Sequence, residues 1–162
     1  MDLRKLKKLS LLLSIICLTS VGCSKPTASF EGTDPYNRKL LVSNQILWVE
    51  IADTEEKRRR GLSDRNFMAE DEGMLFYFEA KNPEPVFWMK DTKFNLDLIW
   101  IKRNKIVSIT QNVPAQKPGT PDKDLPRYSA PSLVDAVLEV NAGFAEKNGI
   151  KVGDEVRLIE QD

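Results

Sequence analysis

The sequence predicts an α+β, mostly β protein: a compact, barrel-like or strongly bent antiparallel or mixed sheet with two short helices. Short apolar runs rich in β-branched and aromatic residues recur between turn signals, which is the mark of strands. Only two stretches, near 53–60 and 142–148, have helical start and stop signals, and each is about two turns long. The chain has 162 residues. With a leader set aside, about 120 to 140 remain, the size of one domain.

The chain starts with Arg4, Lys5, Lys7 and Lys8 and runs through Leu9–Leu18 into small residues, the three-part layout of a secretory signal. That apolar region falls short of the roughly 20 residues that span a bilayer, so it is read as removed. Thr19-Ser20-Val21-Gly22-Cys23-Ser24 resembles a bacterial lipobox, with Ser20 in place of the favoured leucine. Residues 1–22 are therefore read as a lipoprotein signal peptide and Cys23 as the lipidated residue. Cys17 leaves with the signal, and no thiol remains for disulfide, metal or redox chemistry. The Pro, Gly, Ser and Thr content from Ser24 to about Asn37 is that of a tether. Residues 23–40 are assigned to the lipidated cysteine and tether, and 41–162 to a single globular domain.

Gln45–Ala52 alternates Leu47, Val49 and Ile51 against Trp48 and Glu50, a strand with one buried face. Asp53 followed by Glu56 forms a capping box for a helix that runs to Arg60 and stops at Gly61. Lys57–Arg59 are read as a solvated helix face. Arg60 and Arg65, placed beyond the helix, are forked donors suited to internal carboxylates. Gly73–Phe78 is a continuous apolar run, a buried strand, and Pro83 and Pro85 force a turn before a further strand, Val86–Met89.

Leu96–Ile101 and Lys105–Val113, joined by Lys102-Arg103-Asn104, form a hairpin. Pro114–Pro131 is a long, proline-rich loop of the kind that is more often functional than incidental. Its Asp122-Lys123-Asp124 lacks the glycine and closing glutamate of a calcium loop and is read as polar surface. Leu133–Val140 is a strand, Ala142–Asn148 a helix ended by Gly149, and Glu155–Ile159 the closing strand.

The ordered motifs resemble those of the family called domain of unknown function 192. They are Val49-Glu50-Ile51-Ala52-Asp53-Thr54, Arg60-Gly61-Leu62, Glu72-Gly73-Met74-Leu75-Phe76, Phe87-Trp88-Met89-Lys90, Leu96-Asp97-Leu98-Ile99, Leu138-Glu139-Val140-Asn141-Ala142-Gly143 and Gly149-Ile150-Lys151-Val152-Gly153-Asp154. The resemblance spans about residues 43–160 and implies a small, often exported, compact β-rich protein. It brings no activity. Asp91 stands where the family commonly has asparagine, and Asn95 where it has proline.

The inventory narrows the functional classes. The chain has no histidine, so the usual general base, the Ser-His and Cys-His pairs and the commonest zinc ligand are missing. Formal net charge is zero; the leader's four basic residues against Asp2 hold +3 of it, which leaves −3 for the rest. That charge gives no footprint for nucleic acid. Met68, Met74 and Met89 have thioethers suited to Cu(I), but Met74 and Met89 lie in apolar runs and all three are read as core. No cofactor or metal is expected.

The sequence favours a non-catalytic binding or accessory module for a small polar or glycan-like ligand, exported and held to a bacterial membrane through Cys23. Arg60, Trp88, Lys90, Asp91, Thr92 and Asp97 form the candidate ligand set, with Trp88 or Trp48 as apolar platform. Asp97 shares a strand face with Ile99 and Ile101 and needs a partner, for which Arg60, Arg65, Lys90 or Thr92 are available. Two alternatives stand beside this. One is a carboxylate hydrolase, for instance on glycans, using two of Glu50, Asp91, Asp97 and Glu139. The other is a protein–protein module of the envelope that docks through a sheet edge or the 114–131 loop.

Overall fold

The computed structural model describes residues 35–78 and 84–159; the stretch read as a signal peptide, Cys17, Cys23 and most of the stretch read as a tether lie outside them. Among the described residues nine strands follow in chain order: β1 (Arg38–Val42), β2 (Gln45–Ala52), β3 (Glu72–Tyr77), β4 (Val86–Phe87), β5 (Leu96–Lys102), β6 (Lys105–Val113), β7 (Tyr128–Ser129), β8 (Ala136–Asn141) and β9 (Val156–Ile159). Helix α1 (Glu55–Arg60) follows β2, and α2 (Phe144–Lys147) follows β8.

Seven strands form one sheet in the order β6-β5-β8-β3-β2-β1-β9, curled strongly into a half-barrel, while β4 and β7 pair separately. The outer strands touch at one end, where the Val156 amide donates to the Asn104 carbonyl at 2.8 Å and the Ile106 amide to Asp154 at 2.9 Å. The predicted mostly β, strongly bent sheet with two short helices is the observed architecture.

Every neighbouring pair in the large sheet is antiparallel except β2 and β3. A parallel pair needs a crossover, and residues 53–71 supply it by carrying α1 out over the sheet. Side chains alternate between two apolar layers. Leu75, Ile99 and Leu138 point into the curl with Phe144 and Ala145 of α2. Met74, Phe76, Leu98, Trp100 and Val137 point outward, where Leu62, Met68, Met89 and Val134 cover them. The three methionines read as core are thus core.

Local departures from the sequence reading have local causes. β1 begins at Arg38, inside the stretch assigned to the tether, because Arg38 and Lys39 are only partly exposed and Lys39 lies 4.7 Å over the Trp48 ring. The α1 cap is Thr54, whose hydroxyl accepts from the Lys57 amide at 3.2 Å. Asp53 instead pairs with the Lys57 ammonium at 2.9 Å. Arg60 is the last residue of α1, and Gly61 ends it at φ 51°, a conformation that favours glycine. The Val86–Met89 strand is only two residues long, and the strand expected from Leu133 begins at Ala136, leaving Leu133 exposed.

Candidate functional site

A cleft of about 500 Å³ opens on the outer face of the sheet beside α1. Its walls come from four parts of the chain: the Arg58–Arg60 side of α1, Phe76 of β3 with Phe78 just beyond it, the segment from Pro85 to Thr92, and Arg127. Its floor includes Leu62 and Glu139 of β8.

Phe87 anchors one wall. Its ring packs edge-on against Phe76 at 5.0 Å, Trp100 at 5.6 Å and Phe78 at 6.2 Å, and such pairs contribute about 0.5–1.5 kcal/mol each beyond area burial. Phe87 also pairs with Tyr128, the register that brings the next residue on one strand, Trp88, beside Arg127 on the other. The Arg127 guanidinium sits 3.8 Å over the Trp88 ring and Lys90 lies 5.5 Å from it. Asp122 ties the pair together, taking the Lys90 ammonium at 2.8 Å on its carboxylate and Arg127 at 3.1 Å on its carbonyl. That bond to Asp122 raises the Lys90 pKa.

The arginines of α1 differ in their engagements. Arg58 donates to the Asp53 and Tyr77 carbonyls at 2.9 and 3.0 Å. Arg59 pairs with Glu55 at 2.6 Å in full solvent. The Arg60 carbonyl accepts from the Ser63 amide at 3.1 Å, but among the described residues its guanidinium has no hydrogen-bond or ion-pair partner and is available to an incoming anion.

Glu139 is the unusual member. It is 5% exposed, and its sheet neighbours are Met74 on β3 and Leu98 on β5, both buried. No hydrogen bond reaches its carboxyl from the described residues. Burial pushes its pKa up to about 8, against a weaker opposing pull from Arg65. Arg65 itself is committed to Glu50 and to the Tyr36 hydroxyl.

Arg60, Trp88, Lys90 and Thr92 of the predicted set therefore meet in one cleft, and two do not join them. Asp91 turns at φ 54° on the exposed Lys90-Asp91 turn and faces a neighbouring groove under the 116–122 loop. Asp97 is fully buried on the opposite face of the sheet. Its partners are two backbone amides, Asn112 at 2.9 Å and Ala145 at 3.1 Å, and not the side chains the sequence offered. Trp88 is also less of an open platform than expected, since Arg127 covers one face of the ring. Glu139 stood only among the hydrolase candidates; the signal that marked it was one carboxylate inside the apolar run Ala136-Val137-Leu138-Glu139-Val140.

Two solved structures share this fold. A protein of unknown function from Novosphingobium aromaticivorans is 28% identical, with a TM-score of 0.65 over 74% of this chain and 83% of its own. A Sinorhizobium meliloti protein described as a candidate transcription regulator is also 28% identical, with a TM-score of 0.66 over 78% of this chain and 98% of its own. Among curated proteins nothing matches. The DUF192 family, described as Uncharacterized ACR, matches residues 39–158, and the chain belongs to it.

Proposed function

We propose that the domain is a binding module that captures a small, oxygen-rich organic anion of the sugar-acid type in the Arg60–Trp88–Lys90 cleft, displayed at the cell envelope by a lipid on Cys23. The observation that carries the ligand class is the cleft itself: apolar aromatic walls, a rim of cations and a volume of about 500 Å³ suit a small molecule. Arg127 lies on Trp88 and the Arg60 guanidinium has no partner among the described residues, so charge more than open stacking selects the ligand. A neutral sugar would leave the Arg60 guanidinium unanswered.

The other readings find less support. The hydrolase needs two carboxyls facing one substrate. Of its four candidates only Glu139 lines the cleft, while Glu50 holds Arg65, Asp97 holds two amides and Asp91 faces the next groove. The name of the Sinorhizobium protein invites a nucleic-acid reading. Such binding uses a basic stripe, whereas the cations here gather at one cleft and Asp122 and Glu55 oppose two of them. The interaction-module reading rests on a sheet edge or the 114–131 loop, yet the two outer strands meet at one end and the loop supplies β7 and Arg127 to the cleft wall.

Calorimetric titration of the folded domain with D-glucuronate and with D-glucose tests the ligand class. Glucuronate binds more tightly, and the Arg60→Ala/Lys90→Ala variant loses at least about tenfold in affinity while keeping its melting temperature. Equal binding of acid and neutral sugar, or a variant that binds as well as the parent, refutes it. The anchor is read by mass spectrometry of the membrane-extracted chain, which shows diacylglyceryl on Cys23; an unmodified Cys23 removes that part of the proposal.

A further inference from the structure

The strongest unassigned feature is Glu139, a carboxyl 5% exposed on the cleft floor with no hydrogen-bond partner among the described residues. Among the described residues no fully enclosed side-chain oxygen or nitrogen lacks a partner, so the Glu139 carboxyl, which has none, keeps a narrow opening where an incoming group can complete it. Its opening is toward the cleft, because Met74 and Leu98 close it in on both sides along the sheet.

We infer that Glu139 is the specificity-determining group of this cleft: its carboxyl O–H donates a hydrogen bond to an uncharged hydroxyl or carbonyl oxygen at the buried end of the ligand, while the rim cations hold the ligand's carboxylate. The inference rests on the function proposed above and deepens it, from any small anion to one with a neutral oxygen set away from its charge. Cyclohexanecarboxylate, with the same charge and ring size as glucuronate but neither hydroxyls nor a ring oxygen, is the contrasting probe.

The surroundings favour a proton on Glu139. The groups that share the cleft with it are Arg58, Arg59, Arg60 and Glu55 from α1, Lys90 and Thr92 from the segment after β4, and Arg127 from the loop before β7. β3 and β5 present apolar side chains, and from the crossover Arg65 acts on it while bound to Glu50 of β2. Desolvation outweighs that pull, so the group is mostly protonated at neutral pH and ionises near pH 8. The chain has no histidine, the side chain that ordinarily titrates near neutrality, to confuse that signature. A ligand with an ammonium at its deep end would have to pass the cationic rim, which disfavours it.

The test measures the affinity of the folded domain for glucuronate and cyclohexanecarboxylate between pH 6 and 9, for the parent, Glu139→Gln and Glu139→Leu. The parent prefers glucuronate and loses about tenfold in affinity for it as pH rises through 8, because the donor is lost. Glu139→Gln, whose amide still donates, keeps the preference and loses the pH dependence. Glu139→Leu loses the preference and still binds both anions through the rim. Neither anion binding the parent overturns the cleft's proposed function and this inference with it. Binding that depends on Arg60 and Lys90 but is unchanged in both Glu139 variants overturns this inference alone, as does affinity that rises through pH 8.

Discussion

Asp97 and Glu139 are two buried acids on hydrogen-bonded strands, one residue out of step, so one faces into the curl and the other out of it. Asp97 is surrounded by donors: the Asn112 amide approaches one oxygen and the Ala145 amide the other. Glu139 has Met74 and Leu98 beside it and an open cleft above. Both sit in apolar runs with almost no exposure, and what separates them is the supply of backbone amides. A carboxylate supplied with amides serves the fold, since it pins the start of α2 and the left-handed Asn112, at φ 54°, to β5. A carboxyl denied them keeps its proton and its bonding capacity for something else.

The largest effect expected from breaking this contrast comes at Asp97. Asp97→Ala strands the buried Ala145 amide and the part-buried Asn112 amide, and at about 1–3 kcal/mol for each unsatisfied group the loss is at most roughly 2–6 kcal/mol. Urea unfolding measures it. A loss under about 1 kcal/mol would mean the amides find other partners and Asp97 is no keystone.

Next comes the pH dependence set by Glu139. Its pKa is raised from 4.5 to about 8, so between those values the native state holds a proton that the unfolded chain releases. From this group stability is greatest below pH 4.5 and falls as pH rises, by about 1.4 kcal/mol per unit inside the window, levelling above 8. Glu139→Gln removes that slope. Unfolding curves at pH 5, 7 and 9 that have the same slope in parent and variant would place an unseen partner on Glu139 and erase its difference from Asp97.

The smallest effect calibrates the other two. Thr54→Ala removes one exposed side-chain bond to a helix amide and costs about 1 kcal/mol by thermal or urea unfolding. If it cost as much as Asp97→Ala, burial would not be what makes the Asp97 bonds valuable.

The same contrast marks how far sequence carries. Alternation placed Leu47 and Val49 on one buried face and Asp97 on the face of Ile99 and Ile101, as the structure has them. The Leu96–Val113 hairpin was equally legible, its tip turning at positive φ on Arg103 and Asn104. Four of the six ligand-set residues meet because Trp88, Lys90 and Thr92 are near neighbours in sequence and the helix ending at Arg60 lies across from them. The partners of Asp97 were not legible, because the two amides come from 15 and 48 residues further along the chain. β1 was hidden because Arg38 and Lys39 read as polar while their stems pack. β7 was hidden because a two-residue strand between prolines has no period to detect.

The order of strands has a further consequence. β8 lies at the middle of the sheet, between the β5–β6 hairpin and the β3-β2-β1-β9 group, yet it comes late in the chain. It is the stitch that joins along their length two halves that otherwise meet where β6 and β9 touch. A chain stopped before Ala136 would possess the arginine wall, the tryptophan and the hairpin but neither the seam nor the Glu139 part of the floor, so the cleft is complete only once almost the whole chain has been made.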